Sequence, residues 1–288
     1  VPEAQKTVLV VNGFSRLASP AVIDNKVEQG FDMQEDAGVT YGRTAGWLGF
    51  QTSFDKSKMG SERRDGLGFT NDTLMGQFIA GNDFDYIRTH TQAIVTARKY
   101  RVVSCSAEAL EYNDVHPQRY EMMDLILGLQ RKDGYSLVPY QVMTPIMKEH
   151  PRLFAKKGGA LLVSGAYLGA YVQDPADRRY LEDILKIKYQ GRDLDSLQRD
   201  SIRGLGTEFT FHRHLNERHY AAQHPEILEP VYPAFSAMQY ADDFSACVAY
   251  GGTDYKAITM GFPLECIKDE PKRNSIMRGL LKFLLQSH

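Results

Sequence analysis

The sequence predicts an α/β protein built on a doubly wound, mainly parallel sheet, and three observations carry that prediction. Short aliphatic and β-branched runs recur along the 288 residues, segments of helical spacing fall between them, and several runs end in glycine or a small polar residue. Strands that alternate with helices join in parallel through crossover connections. No stretch is rich enough in Pro, Ser or Gly to divide the chain, so residues 1–288 are expected to form a single α/β domain.

Each element follows from its residues. Val8-Leu9-Val10-Val11 is a buried strand that stops at Asn12-Gly13. Residues 14–81 then lose all periodicity: ten glycines from Gly30 to Gly81 are interleaved with Phe31, Tyr41, Trp47, Phe50, Phe54 and Phe69. Aromatics argue for order, so this stretch is expected to be an ordered but irregular insertion. Asp83 is the expected N-cap of a helix carrying Tyr86, His90, Ile94 and Ala97 on one face, and Arg101–Ser104 follows as a strand. Glu108–Leu110 opens a helix, Met122–Gly128 is the third strand, a helix runs from about Gln141 to Ala155, and Gly158-Gly159 turns into a fourth strand ending at Ser164-Gly165. A helix from Pro175 to Ile187 completes the alternation.

After that the pattern changes. Ser201–Leu205, Phe209–His212, Ala237–Tyr240 and Ala246–Tyr250 read as strands with no helices between them, so residues 200–255 are expected to add antiparallel strands at one sheet edge. Ala257–Phe262 is a last strand, and Lys272–Leu285 closes the chain as a helix with Ile276, Leu280, Leu281 and Leu284 inward.

Composition removes several function classes. With 34 basic and 36 acidic residues the net charge is −2, which leaves no electrostatic footprint for nucleic acid or an anionic membrane. No apolar run is long enough for a membrane span. Cys105, Cys247 and Cys266 match neither a disulfide framework nor a zinc pattern. The chain starts at Val1 without a Met, which is compatible with a mature form after signal removal or with a piece of something longer, so export, to a secreted, periplasmic or cell-envelope location, stays open.

In an open α/β sheet, ligands bind beyond the carboxyl ends of the strands. Those ends carry Asn12, Ser15 and Arg16; Ser104, Ser106 and Glu108; Gln130; Ser164 and Tyr167; and Glu265. The segment Gly165-Ala166-Tyr167-Leu168-Gly169 has the spacing of a nucleophile elbow with tyrosine in the nucleophile's place. A phenol with a pKa near ~10 is a poor nucleophile, so serine- or cysteine-type acyl transfer is not expected there. For Ser164, capping of the next helix is the simpler reading. His212 and His214 share a strand face at metal-ligand spacing, yet no third ligand is identifiable, and solvated surface histidines are the simpler reading. His90, on the inward face of its helix, is weighed as a catalytic base against a core histidine. The insertion acids Asp32, Glu35, Asp36, Asp55, Asp65 and Asp72 could supply a carboxyl pair for a glycosidic bond, and with the aromatics between them they look like a sugar-binding surface.

Several segments together carry a resemblance. Val8–Phe14, Asp36–Gly42, Gly81–Tyr86, Asp124–Gln130, Gly158–Gly169 and Gly261–Glu265 resemble secreted proteins of Bacteroides-type bacteria labelled "xanthan lyase". The core is similar to the class I glutamine amidotransferase-like, or flavodoxin-like, fold, including its trehalose-utilisation branch. That family's cysteine would fall at Tyr167, and of its His-x-Glu pair only Glu265 is present, so the resemblance does not carry glutaminase chemistry. The lyase label implies a base, a group neutralising a uronate carboxylate and an acid, roles open to Tyr167, Arg16 and His90. The chain has neither the length nor the helical repeat of the toroidal xanthan lyases.

Two readings result. The first is an exported enzyme, a lyase or hydrolase acting on a polysaccharide or cell-wall glycan, with Tyr167, His90 and Glu108 as catalytic candidates and Asn12, Ser15, Arg16, Ser104, Ser106, Gln130, Ser164 and Glu265 lining the crevice. It calls for no cofactor and no metal. The second is a non-catalytic glycan-binding or scaffolding module of a larger envelope protein. Converging acid, base and donor groups would favour the enzyme; an elbow packed shut by Tyr167 would favour the module.

Overall fold

The computed structural model describes residues 5–13, 21–24, 26–32, 54–55, 86–128, 141–170, 172, 174–191, 200–213, 222 and 225–286. Among them, nine strands form one sheet. Its parallel part is built by β1 (Thr7–Asn12), β5 (Arg101–Ser106), β6 (Met122–Gly128), β7 (Ala160–Gly165) and β14 (Lys256–Met260), in the spatial order β5-β1-β6-β7-β14. Every residue of β6 and β7 is buried, which is why both read as unbroken apolar runs rather than alternations. The edge strand β5 is largely exposed.

Beyond β14 the sheet continues antiparallel through β13 (Ser245–Gly251), β12 (Phe235–Tyr240), β9 (Ser201–Gly204) and β10 (Thr207–Thr210). The antiparallel addition therefore lies at one edge, and it supplies four of the nine strands. β8 (Ile187–Gly191) and β11 (Ile227–Pro230) pair with each other as a separate ribbon that the sequence reading did not anticipate.

Two corrections concern the insertion and one helix. Within residues 14–81 the described pieces are regular: β2 (Ala21–Asp24), β3 (Glu28–Asp32) and β4 (Phe54–Asp55) form a three-stranded antiparallel sheet. Their length of two to five residues hid these strands, since pairing rather than propensity defines them. The helix expected over Pro175–Ile187 is α4 (Pro175–Tyr180) followed by a π-helical turn over Leu181–Leu185, and Ile187 already belongs to β8. Lys186 makes the break, with φ at +58°.

The remaining helices are α1 (Tyr86–Val95), α2 (Ala107–Glu111), α3 (Pro145–Lys156) and α5 (Glu270–Leu285). The α3 helix starts later than expected because Thr144 caps it, its hydroxyl accepting from the Met147 amide at 3.1 Å, and Pro145 takes the first helical position. The expected cap of α1, Asp83, lies outside the described residues. Right-handed crossovers in opposite directions put α1 with α5 on one face of the sheet and α2 with α3 on the other. The chain passes from β1 to β5 on one side and then returns to β6 on the other. The switch point, where ligands collect in open α/β sheets, thus lies at the carboxyl ends of β1 and β6.

Candidate functional site

On the α1/α5 face, just below that switch point, three ionisable side chains meet in the interior. His90 projects from the buried stripe of α1, beside Tyr86, Ala93 and Ile94. Its Nδ1–H donates to Asp124 Oδ2 at 2.7 Å and its Nε2–H donates to Glu265 Oε2 at 2.9 Å. Asp124 comes from the middle of β6, and Glu265 from the short 3₁₀ turn Leu264–Cys266 that follows β14. The side chains of His90 and Asp124 have no exposure, and that of Glu265 is 1% exposed.

The charge state follows from these contacts. Burial by itself lowers the His90 pKa, but the charges of Asp124 and Glu265 and the hydrogen bonds to both outweigh it and raise the pKa from 6.5 to about 10. At neutral pH the ring is an imidazolium that donates from both nitrogens. Neither nitrogen is left to take a proton from a substrate. His90, expected as a candidate base, thus has both ring nitrogens engaged by carboxylates.

Around this triad stand oxygens that hydrogen bonding leaves open. Asp124 Oδ1, Glu265 Oε1, Asn12 Oδ1 and Ser164 Oγ are all buried without a hydrogen-bond partner among the described residues. Parallel register explains their proximity: Asn12 pairs with Ile126, and Ile126 pairs with Ser164, so these three share one row and one face. Asp124, two residues before Ile126, lies on the same face one row deeper. Buried acceptors of this kind need donors, and three of the four oxygens can only accept.

The elbow differs from the expectation. Tyr167 is buried, with 2% of its surface exposed, and among the described residues the non-glycine positions with positive φ are Arg98, Asn113, Lys186, Leu205 and Asp243. The tyrosine is thus not held in the strained conformation that lifts a nucleophile into a crevice. The two glycines are required by contact instead. A Cβ on Gly165 would stand 3.0 Å from the Leu127 Cβ, and one on Gly169 would stand 2.3 Å from the Tyr189 Cβ. No helix follows directly; the Gly169 and Ala170 amides donate to the buried carboxylate of Glu226 at 2.8–3.1 Å. Tyr167, expected as a candidate catalytic residue, thus lies in the buried core.

The other sequence candidates divide clearly. Asn12, Ser164 and Glu265 join the buried cluster. Ser104 and Ser106 are exposed on the edge strand β5, where Ser106 caps α2 by accepting from the Ala109 amide at 3.3 Å. Glu108 sits in the first turn of α2, which packs with α3 on the opposite face from His90, so it is not brought to the triad. Ser15, Arg16, Gln130 and His214 lie outside the described residues, as do Glu35, Asp36, Asp65 and Asp72, while Asp32 and Asp55 end β3 and β4. His212 follows an isolated bridge between Phe211 and Ile267. Among the described residues no three His, Cys, Asp or Glu side chains are grouped to hold a metal.

Sequence reasoning missed Asp124 and Glu226. Asp124 carried a signal, a lone acid in the otherwise apolar run Met122–Gly128, where an unpaired charge has no place. Glu226 gave none. Burial pushes the Cys105 thiol up to about 11 and raises Cys247 and Cys266 further, which disfavours the thiolate at each.

No family model and no curated protein matches the chain. Solved structures with a similar course include an exo-β-1,4-mannosidase from Opitutaceae bacterium strain TAV5, at 9% identity and a TM-score of 0.48, covering 99% of this chain and 37% of that one. A β-galactosidase from Rahnella sp. R3 is 14% identical with a TM-score of 0.43, over 69% of this chain and 27% of its own. A ThuA-like protein from Parabacteroides merdae is 7% identical with a TM-score of 0.43, over 99% of this chain and 93% of its own. The chain spans about a third or less of the two glycosidases. None of these likenesses, each below 0.5 in TM-score, carries an inference about chemistry.

Proposed function

We propose that the chain acts on a polysaccharide or cell-wall glycan outside the cytoplasm, by hydrolysis, with Glu265 as a reacting carboxyl group and His90 and Asp124 as the groups that hold it. The observation supporting this is the Glu265–His90–Asp124 chain beside Asn12 and Ser164 at the sheet's switch point. A glycan presents hydroxyl donors, which match the unpartnered acceptors there. Glycoside hydrolysis uses two carboxyl groups, one of which protonates the leaving oxygen. Glu265 is the proposed member of that pair. Elimination is the weaker branch of the reading, because both His90 nitrogens are taken and Tyr167 is packed away.

A second reading, a non-catalytic glycan-binding or scaffolding module, is favoured by one observation: the elbow is closed by a buried tyrosine. One experiment separates the two. The purified chain is incubated with uronate-containing polysaccharides and peptidoglycan, following new reducing ends and the ultraviolet absorbance of unsaturated uronates. Reducing ends that form with the parent chain and vanish with Glu265→Gln are the expected result. Absorbance would replace hydrolysis by elimination, and silence in both, with the same glycans retarding the chain in an affinity gel, would leave the module.

A further inference from the structure

The other face of the sheet holds a cavity that the triad does not reach. It has a volume of about 420 Å³ and lies between the entry to α3 and the entry to α4, with walls from Val142, Met143, Lys148, Val172, Asp177 and Leu181. These connections leave the carboxyl ends of β6 and β7, where the fold places ligands. The volume falls within the ~300–1,000 Å³ of small-molecule sites.

Its chemistry is mixed. The Lys148 ammonium donates to the Asp177 carboxylate across the α3/α4 junction. Asp174, also on the wall, caps α4 by accepting from the Ala176 amide at 2.7 Å through one oxygen and carries a second acceptor. Tyr180 stands in the wall with a buried hydroxyl that has no hydrogen-bond partner among the described residues. Among the described lining residues, one ammonium stands against two carboxylates, a balance of minus one. Asp177 already neutralises Lys148, so an incoming anion meets Asp174 with no further cation among those lining residues.

We propose that this cavity binds a neutral or amine-bearing saccharide unit, and that it excludes uronates. Sugar hydroxyls donate to Asp174 and Asp177 and accept from Lys148, while Val142, Met143, Val172 and Leu181 pack against the C–H face of the ring. The choice of a saccharide rests on the glycan reading proposed above, while the lining itself does not include Glu265.

The test is a titration of the full chain, followed by NMR, with glucose, glucosamine and glucuronate. Saturable binding of glucosamine and glucose is expected, with glucuronate about tenfold weaker or absent. Lys148→Met removes the central donor, and Ala176→Trp fills the exposed rim without touching the core; each is expected to weaken binding about tenfold or more. Glu265→Gln is expected to leave binding unchanged, which separates this site from the triad. Failure of all three sugars to saturate, equal binding in both cavity variants, or a preference for glucuronate would overturn the proposal.

Discussion

The two faces of the sheet treat charge in opposite ways. Under α1 and α5, Asp124, His90 and Glu265 are sealed from solvent, and the imidazolium is bonded on both sides. Between α3 and α4, Lys148 and Asp177 form one pair whose side chains stay 19% and 28% exposed at the mouth of a cavity. Both set a nitrogen cation against carboxylates, an imidazolium on one face and an ammonium on the other, and they differ most in solvation. A buried group that loses its partner keeps its desolvation cost, whereas a half-exposed one recovers water. The sealed triad is thus suited to hold a carboxyl in one place, and the open pair is suited to exchange its contacts with a ligand.

The largest expected effect comes from breaking the triad. His90→Leu leaves two carboxylates buried without their shared cation and should cost ~3–5 kcal/mol in urea unfolding at neutral pH. A loss below about 1 kcal/mol would place the triad among surface-type pairs and erase the contrast. The same group sets a pH dependence. Its folded pKa of about 10 lies above its ordinary 6.5, so its contribution is full below pH 6.5, declines above it and is gone once pH passes 10. Stability should therefore fall between neutral pH and pH 10 in the parent chain and run flatter in His90→Leu.

An intermediate effect tests the elbow. Gly169→Ala drives a methyl into the Tyr189 ring and should cost ~1–3 kcal/mol while the spectroscopic signature of the fold persists. A neutral outcome would mean that the Gly-x-Tyr-x-Gly turn is loosely packed and free to act as more than a core connection. The smallest effect belongs to the open face. Lys148→Met should change stability by no more than ~1 kcal/mol, because its pair is partly solvated. A larger loss in the same unfolding assay would give both faces the same electrostatic character.

How much of this was legible in the sequence depended on whether the signal was local. Runs such as Val8–Val11, Met122–Gly128 and Ala160–Ser164 could be placed within a residue or two, because a strand buried on both faces must be apolar throughout. The inward stripe of α5 was equally plain, since Ile276, Leu280, Leu281 and Leu284 recur at helical spacing and all are buried. β2, β3 and β4 were not, because strands of two to five residues are defined by their partners. Of the candidate site, Asn12, Ser164, Glu265 and His90 were legible as residues at strand ends or on a buried helix face. Their roles were not.

What the sequence determined by itself was the order of elements and, through it, the row of positions open to a ligand. Periodicity is a property of neighbours along the chain. The tertiary structure alone decided that His90 lies between an aspartate 34 residues away and a glutamate 175 residues away, and that Tyr167 turns inward. Protonation and exposure depend on what surrounds a side chain in space, and residues this far apart meet only when the sheet is assembled.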